Sequence, residues 1–219
     1  MIKKVLRQGS GFLTQRQTNI LSAALVIMIM VAASRVLGLV RNRVLAHFFS
    51  AETLAVYFAA FRLPEVVFEV LVFGALSSAF IPTFTAYFSK GKSTEAWYVA
   101  SISLNFALFI FLIFAIPVFI FARQLYQIMA PGFSNQQLFL VAKLTRILLI
   151  VQGFFVLSYF LTGVLESLQR FLIPAMAPLF YNLGIILGSL FLSGKFGILA
   201  PAVGAVIGSF FHFFIQFGS

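Results

Sequence analysis

The sequence predicts an all-α integral membrane protein, a bundle of about six transmembrane helices. Three observations carry that expectation: 62% of the residues are hydrophobic and only 9% charged, apolar runs recur at membrane-spanning length, and the breaks between them collect Gly, Pro, Lys, Arg, Asn and Gln. Ordinary soluble domains carry about 25% charged residues. So small a charged fraction cannot clothe a water-facing surface, whereas a bilayer asks for none.

A hydrocarbon core about 30 Å thick needs about 20 apolar residues per helix. On that measure residues 1–19 form a basic tail and residues 20–219 one six-helix lobe. The first span covers about 20–40. The second, about 52–88, is too long for one straight helix and is interrupted by Pro64, Gly74 and Pro82. The others cover about 95–122, 137–165, 174–192 and 197–217. The last two carry Gly184-x3-Gly188 and Ala200-x3-Gly204-x3-Gly208, small residues at the spacing that lets helix backbones approach closely.

Charge sets the expected orientation. Lys3, Lys4, Arg7 and Arg16 precede the first span, Lys90 and Lys92 lie between the second and third, and Arg170 follows the fourth. Lys and Arg gather on the cytoplasmic side, so both termini are expected there. Arg41, Arg43, Arg123 and Lys195 fall at the other end and dilute the bias. The tail and first run also have the shape of a signal peptide, but five further spans need no cleavable signal.

The net charge of +10 comes without a basic stripe interleaved with aromatics, so nucleic acid is not an expected partner. The absence of cysteine excludes disulfides, thiolate catalysis and Cys-ligated metals. There is no Asp, the two His residues are far apart, and neither a Gly-rich phosphate loop nor a metal-spaced cluster occurs. The chain is therefore expected to be neither an enzyme nor a cofactor or metal carrier.

Ionisable groups inside apolar spans cost about 2.5–3.5 kcal/mol on insertion scales, so each calls for a cavity or a partner. Arg35 and Arg41 are separated by roughly 9 Å along a helix and about 120° around it. Gly38 between them offers a bend that would turn both heads toward one pocket. Arg62, Glu65 and Glu69, at i, i+3 and i+7, share one helical face. That face is expected to border a water-filled cleft shared with Arg35 and Arg41. Snorkelling to headgroups is the bland alternative for Arg35, and by charge and position alone the favoured reading for Arg41, Arg43, Lys143 and Arg146. His212 reads as packed among Phe residues, and Asn105, Gln152 and Asn182 as groups that hydrogen-bond between helices.

Several segments carry a family resemblance. Ser34-Arg-Val-Leu-Gly-Leu-Val-Arg41 resembles the S-R-x-x-G-x-x-R signature in the first helix of the MurJ/MviN flippase family. Phe61-Arg-Leu-Pro64 is similar to that family's F-K/R-L-P, Gly74-Ala-Leu-Ser-Ser-Ala-Phe-Ile-Pro82 to its G-A-x-S-x-A-F-x-P, and Ala130-Pro-Gly-Phe133 to its A-P-G-F loop. Arg170-Phe-Leu-Ile-Pro-Ala-Met-Ala-Pro178, followed by Asn182, resembles the opening of its fifth helix. The order of the motifs matches from about residue 20 to the C-terminus.

This resemblance implies two pseudo-symmetric six-helix lobes of the multidrug/oligosaccharidyl-lipid/polysaccharide exporter superfamily. It implies an activity, moving the undecaprenyl-diphosphate-linked peptidoglycan precursor lipid II across the bacterial inner membrane. It also implies that Arg35 and Arg41 contact the diphosphate, whose oxygens suit the planar guanidinium fork. The expected partners are this lipid-linked diphosphate, membrane lipids, and a C-terminal lobe or second half-protein, the chain being a truncated N-terminal half. The sequence departs from the family pattern at Ala55 or Val56, where an acidic residue is common, near Phe68, where a cavity arginine is common, and at Phe73, where a glutamate is. Export of another lipid-linked oligosaccharide or a small cation is the alternative within transport, and a non-transporting membrane scaffold the alternative outside it.

Overall fold

The structure, a computed structural model, describes residues 20–71 and 80–217. The basic tail 1–19, together with Phe73 and Gly74 of the second span, lies outside the described residues. Every described element is a helix: α1 (Ile20–Phe48), α2 (Ala51–Ala59), α3 (Arg62–Leu71), α4 (Phe80–Ser89), α5 (Ser93–Met129), α6 (Asn135–Ser167), α7 (Leu172–Phe196) and α8 (Leu199–Phe217). Among these, α5 to α8 are each long and apolar enough to cross a membrane. The chain runs up and down in order. The Lys90–Lys92 and Leu168–Phe171 turns share one end with the start of α1, and the turns at Phe49–Ser50, Ala130–Ser134 and Gly197 share the other.

The turns are closed by local hydrogen bonds. Ser50 Oγ accepts from the Thr53 amide at 3.3 Å and caps α2. Ser134 and Gln137 form a reciprocal capping box at the head of α6. Gln137 then donates its Nε2 to Glu52 Oε1 at 3.0 Å, tying the head of α6 to that of α2. At the other end Gln169 takes a left-handed φ of 61°. Its amide reaches Glu166 O at 2.9 Å and the Arg170 amide reaches Leu165 O at 2.8 Å, the two bonds that satisfy a helix's last carbonyls when the chain reverses there.

Proline explains where the second span breaks. Pro64 has no N–H, so the Ala60 carbonyl four residues earlier loses its helical donor. The helix stops at Ala59 and restarts at Arg62, leaving Pro64 in the first turn of α3, where a missing donor costs nothing. In hydrocarbon the orphaned carbonyls still need partners. Tyr126 Oη of α5 donates to Ala59 O at 2.8 Å, and Thr145 Oγ1 of α6 donates to Ala60 O at 3.1 Å.

The most closely packed pair is α7 with α8; α1 lies against α7, α8 against α6, and α6 against α5. Glycine sets the α7–α8 spacing. A Cβ on Gly184 would come within 2.5 Å of the Gly204 carbonyl oxygen, and one on Gly188 within 2.7 Å of the Gly204 Cα, so these backbones touch. One apolar core joins Leu45, Tyr57, Tyr126, Leu148 and Ile185, and a second gathers Phe80, Phe84, Phe111 and Phe160 beneath α3 and α4. Outward faces carry large apolar side chains such as Phe109, Ile128 and Phe191, as a hydrocarbon solvent permits.

Candidate functional site

The break between α2 and α3 opens an interior hollow of about 280 Å³. Tyr57 and Phe58 line it from before the break, Phe61 from the break itself, and Glu65 from the turn after it. Across from them stand Arg41 of α1, Gln152 and Phe155 of α6, and Tyr181 of α7. Aromatic rings form much of the wall: Tyr57 meets Phe61 edge-on at 5.2 Å and Phe155 meets Tyr181 at 5.0 Å.

Arg41 is held by neutral oxygens. Its NH1 donates to Asn182 Oδ1 at 3.0 Å, while Nε and NH2 donate to Asn42 Oδ1 at 3.2 and 3.0 Å. Asn182, 7% exposed, turns its other end to α1 and donates Nδ2 to Ser34 Oγ at 3.3 Å. A single buried amide therefore fixes the height of α1 against α7 and the direction of the guanidinium. Sequence reasoning reads Asn182 as a bond between helices, and its contact with Arg41 adds a positioning role.

Arg35 goes elsewhere. It lines a second hollow of about 290 Å³ with Thr162 and Glu166 of α6 and Pro174 and Pro178 of α7. Gly38 sits inside the unbroken helix α1, which sends the two arginines into separate hollows on different sides of its axis. Of the three charges on α3, only Glu65 lines the first hollow. Arg62 and Glu69 are exposed and line neither, because Pro64 and Val67 take the inward face of this short helix and leave Glu65 at its edge. Phe68, near which the resemblance leads one to expect an arginine, packs against Phe155 and Tyr159 with ring centroids 6.4 and 6.2 Å away.

Beyond the hollows, His212 is bonded rather than merely packed: it pairs through Nδ1 with Ser158 Oγ, and Gln216 donates to the same hydroxyl. Thr162 donates to Gln216 Oε1 at 2.8 Å, so this cluster pins α6 to α8 and reaches the rim of the second hollow. Arg146 donates Nε to Phe119 O at 2.9 Å and lies 5.6 Å from the Phe119 ring centroid, beside an apolar outer groove between α5 and α6. Tyr57, Phe155 and Tyr181 are lining residues that sequence reasoning passes over; for the tyrosines a cue was there. The cue is a phenol inside an apolar run, which needs a partner for its hydroxyl when buried. Among the described residues no group of three or more His, Cys, Asp or Glu side chains gathers as a metal site would.

Fold and site together define a multi-pass helical membrane protein with a charged, aromatic-walled hollow inside the bundle. The family profile described as "Lipid II flippase MurJ" matches residues 44–218. The chain belongs to this family, one of transporters rather than enzymes, and is a multi-pass protein of the bacterial inner membrane. It is 32% identical over 205 residues to the "Probable lipid II flippase MurJ" of Buchnera aphidicola subsp. Schizaphis graminum, an alignment covering 91% of this chain and 40% of that relative. It is likewise 32% identical over 197 residues to the "Lipid II flippase MurJ" of Thermosipho africanus, again covering 90% and 40%. A solved structure, "Lipid II flippase MurJ, inward closed conformation", superposes with a TM-score of 0.72 at 30% identity over 89% of this chain and 41% of that one. The chain spans about 40% of the length of these relatives.

Proposed function

We propose that the chain forms one lobe of a flippase that carries lipid II, the undecaprenyl-diphosphate-linked peptidoglycan precursor, across the inner membrane. The observation that carries this reading is Arg41, a cation inside the bundle whose bonded partners are amide oxygens. Neutral partners orient a guanidinium without cancelling its charge, and the fork remains able to meet diphosphate oxygens. The Arg35 hollow lies roughly 9 Å nearer the first end of the bundle at about 1.5 Å per residue. Two cations at two depths suit an anionic head that must pass from one leaflet toward the other. The lipid tail stays in hydrocarbon beside the apolar outer faces.

Alternating access needs two opposed lobes. The partner in this reading is a second helical lobe, joined to this one or supplied by another polypeptide. The turns holding Lys90, Lys92 and Arg170 mark the cytoplasmic end, which puts both termini inside.

Substitution tests the reading. In cells that rely on this chain for growth, Arg41→Ala is expected to abolish complementation and to leave the lipid-linked precursor on the cytoplasmic face, with Arg35→Ala acting in the same direction. Full growth of both variants at normal protein levels would remove the flippase role.

A further inference from the structure

Two buried polar atoms in the Arg41 hollow have no hydrogen-bond partner: Tyr57 Oη and Gln152 Oε1. Their residues are 1% and 4% exposed, and both line the hollow beside Arg41 and Glu65. Buried polar groups are ordinarily paired, and an orphan carries a desolvation cost that folding does not recover. Neighbouring groups follow that rule: Thr145 is bonded to Ala60 O, Asn182 to Arg41 and Ser34, and Ser158 to His212. The two orphans thus stand out from their own surroundings, and their residues line the same cavity.

The chemistry of the four polar groups specifies what would satisfy them. Arg41 only donates and calls for an acceptor; Gln152 Oε1 and an ionised Glu65 only accept and call for donors; Tyr57 does either. An ionised diphosphate offers acceptors alone. It would meet Arg41 yet leave Gln152 Oε1 without a donor. A sugar attached to the diphosphate supplies the missing O–H and N–H donors, and its flat apolar faces fit walls made by Phe61, Phe155 and Tyr181. We propose that Gln152 and Tyr57 recognise the hydroxyl- and amide-bearing residue next to the diphosphate, so that the hollow selects a glycosyl diphosphate over a bare one. The proposal rests on the transport reading above and assigns specificity to residues outside the arginine pair.

The test uses the chain in lipid nanodiscs and two probes, undecaprenyl diphosphate and the same lipid carrying one N-acetylated hexose. Gln152→Leu and Tyr57→Phe are each expected to weaken binding of the glycosylated lipid by about three- to tenfold, the worth of one neutral hydrogen bond. They should leave binding of the bare lipid as it is, whereas Arg41→Ala should weaken both. Without ligand, both variants should unfold at or above the wild-type midpoint, since each removes an unpaired polar atom. A fall in that midpoint would mean the atoms already have partners and would overturn the proposal. If the wild-type chain binds the two lipids equally well, water satisfies the orphans and the selectivity is refuted while the transport reading stands. Binding of neither lipid by the wild-type chain would overturn both.

Discussion

Asn182 concentrates the residue-scale logic. It accepts from Arg41 and donates to Ser34, so one side chain both orients the cation and ties α1 to α7. Asn182→Leu keeps the volume and removes every one of these bonds. It should cost about 1–3 kcal/mol of stability, the range for stranding buried polar partners, and should weaken glycosyl diphosphate binding as much as losing Arg41 itself. Unfolding in detergent and lipid-binding measurements on the same preparation check both halves. Glu65 was legible in the sequence because a charge inside an apolar run must be housed, and Arg41 through the motif it shares with the family. The bond from Arg41 to Asn182 was not, since it joins residues 141 positions apart and an asparagine in a membrane helix looks the same whichever neighbour it meets. The divergence of Arg35 from Arg41 was equally hidden. An offset of about 120° on one helix acquires meaning only once α6 and α7 are in place around it.

At the scale of elements, the interrupted second span shows what sequence can and cannot specify. Pro64 announces that a straight helix will fail, yet the failure falls four residues earlier, at the carbonyl the proline cannot serve. That carbonyl finds its new donor in Thr145, while Tyr126 serves the neighbouring Ala59 carbonyl, and both side chains arrive from other helices. Thr145→Val, nearly the same shape without the hydroxyl, should lower stability by about 1–3 kcal/mol and shift the wall residues Tyr57 and Phe61. A thermal midpoint unchanged from wild type would show that Tyr126 alone closes the break. The place of the α6–α7 reversal was legible in the sequence, but its backbone geometry was not. Left-handed backbone favours glycine or asparagine, and nothing about Gln169 advertises it.

For the whole molecule, composition was enough to read an all-helical membrane bundle, because solvent choice is a property of the entire chain. Helix neighbours could not be read the same way: lipid-facing and protein-facing sides are both apolar, so periodicity loses the contrast it has in water. Orientation is open to a direct test, helped by the natural absence of cysteine. Gly132→Cys, in the α5–α6 turn with open space around its side chain, should react with a membrane-impermeant maleimide in intact spheroplasts. Lys92→Cys should react only after lysis, and the reverse pattern would invert the proposed topology. The glycine seam adds a mechanical corollary. Where backbone rests directly on backbone there are no rotamers to re-pack and hence no second arrangement within easy reach, so α7 and α8 behave as a stiff spar. Any flexing that reshapes the hollow has to be absorbed on its far wall, at the Ala60–Phe61 joint, where two hydroxyls from adjacent helices serve as the hinge pins.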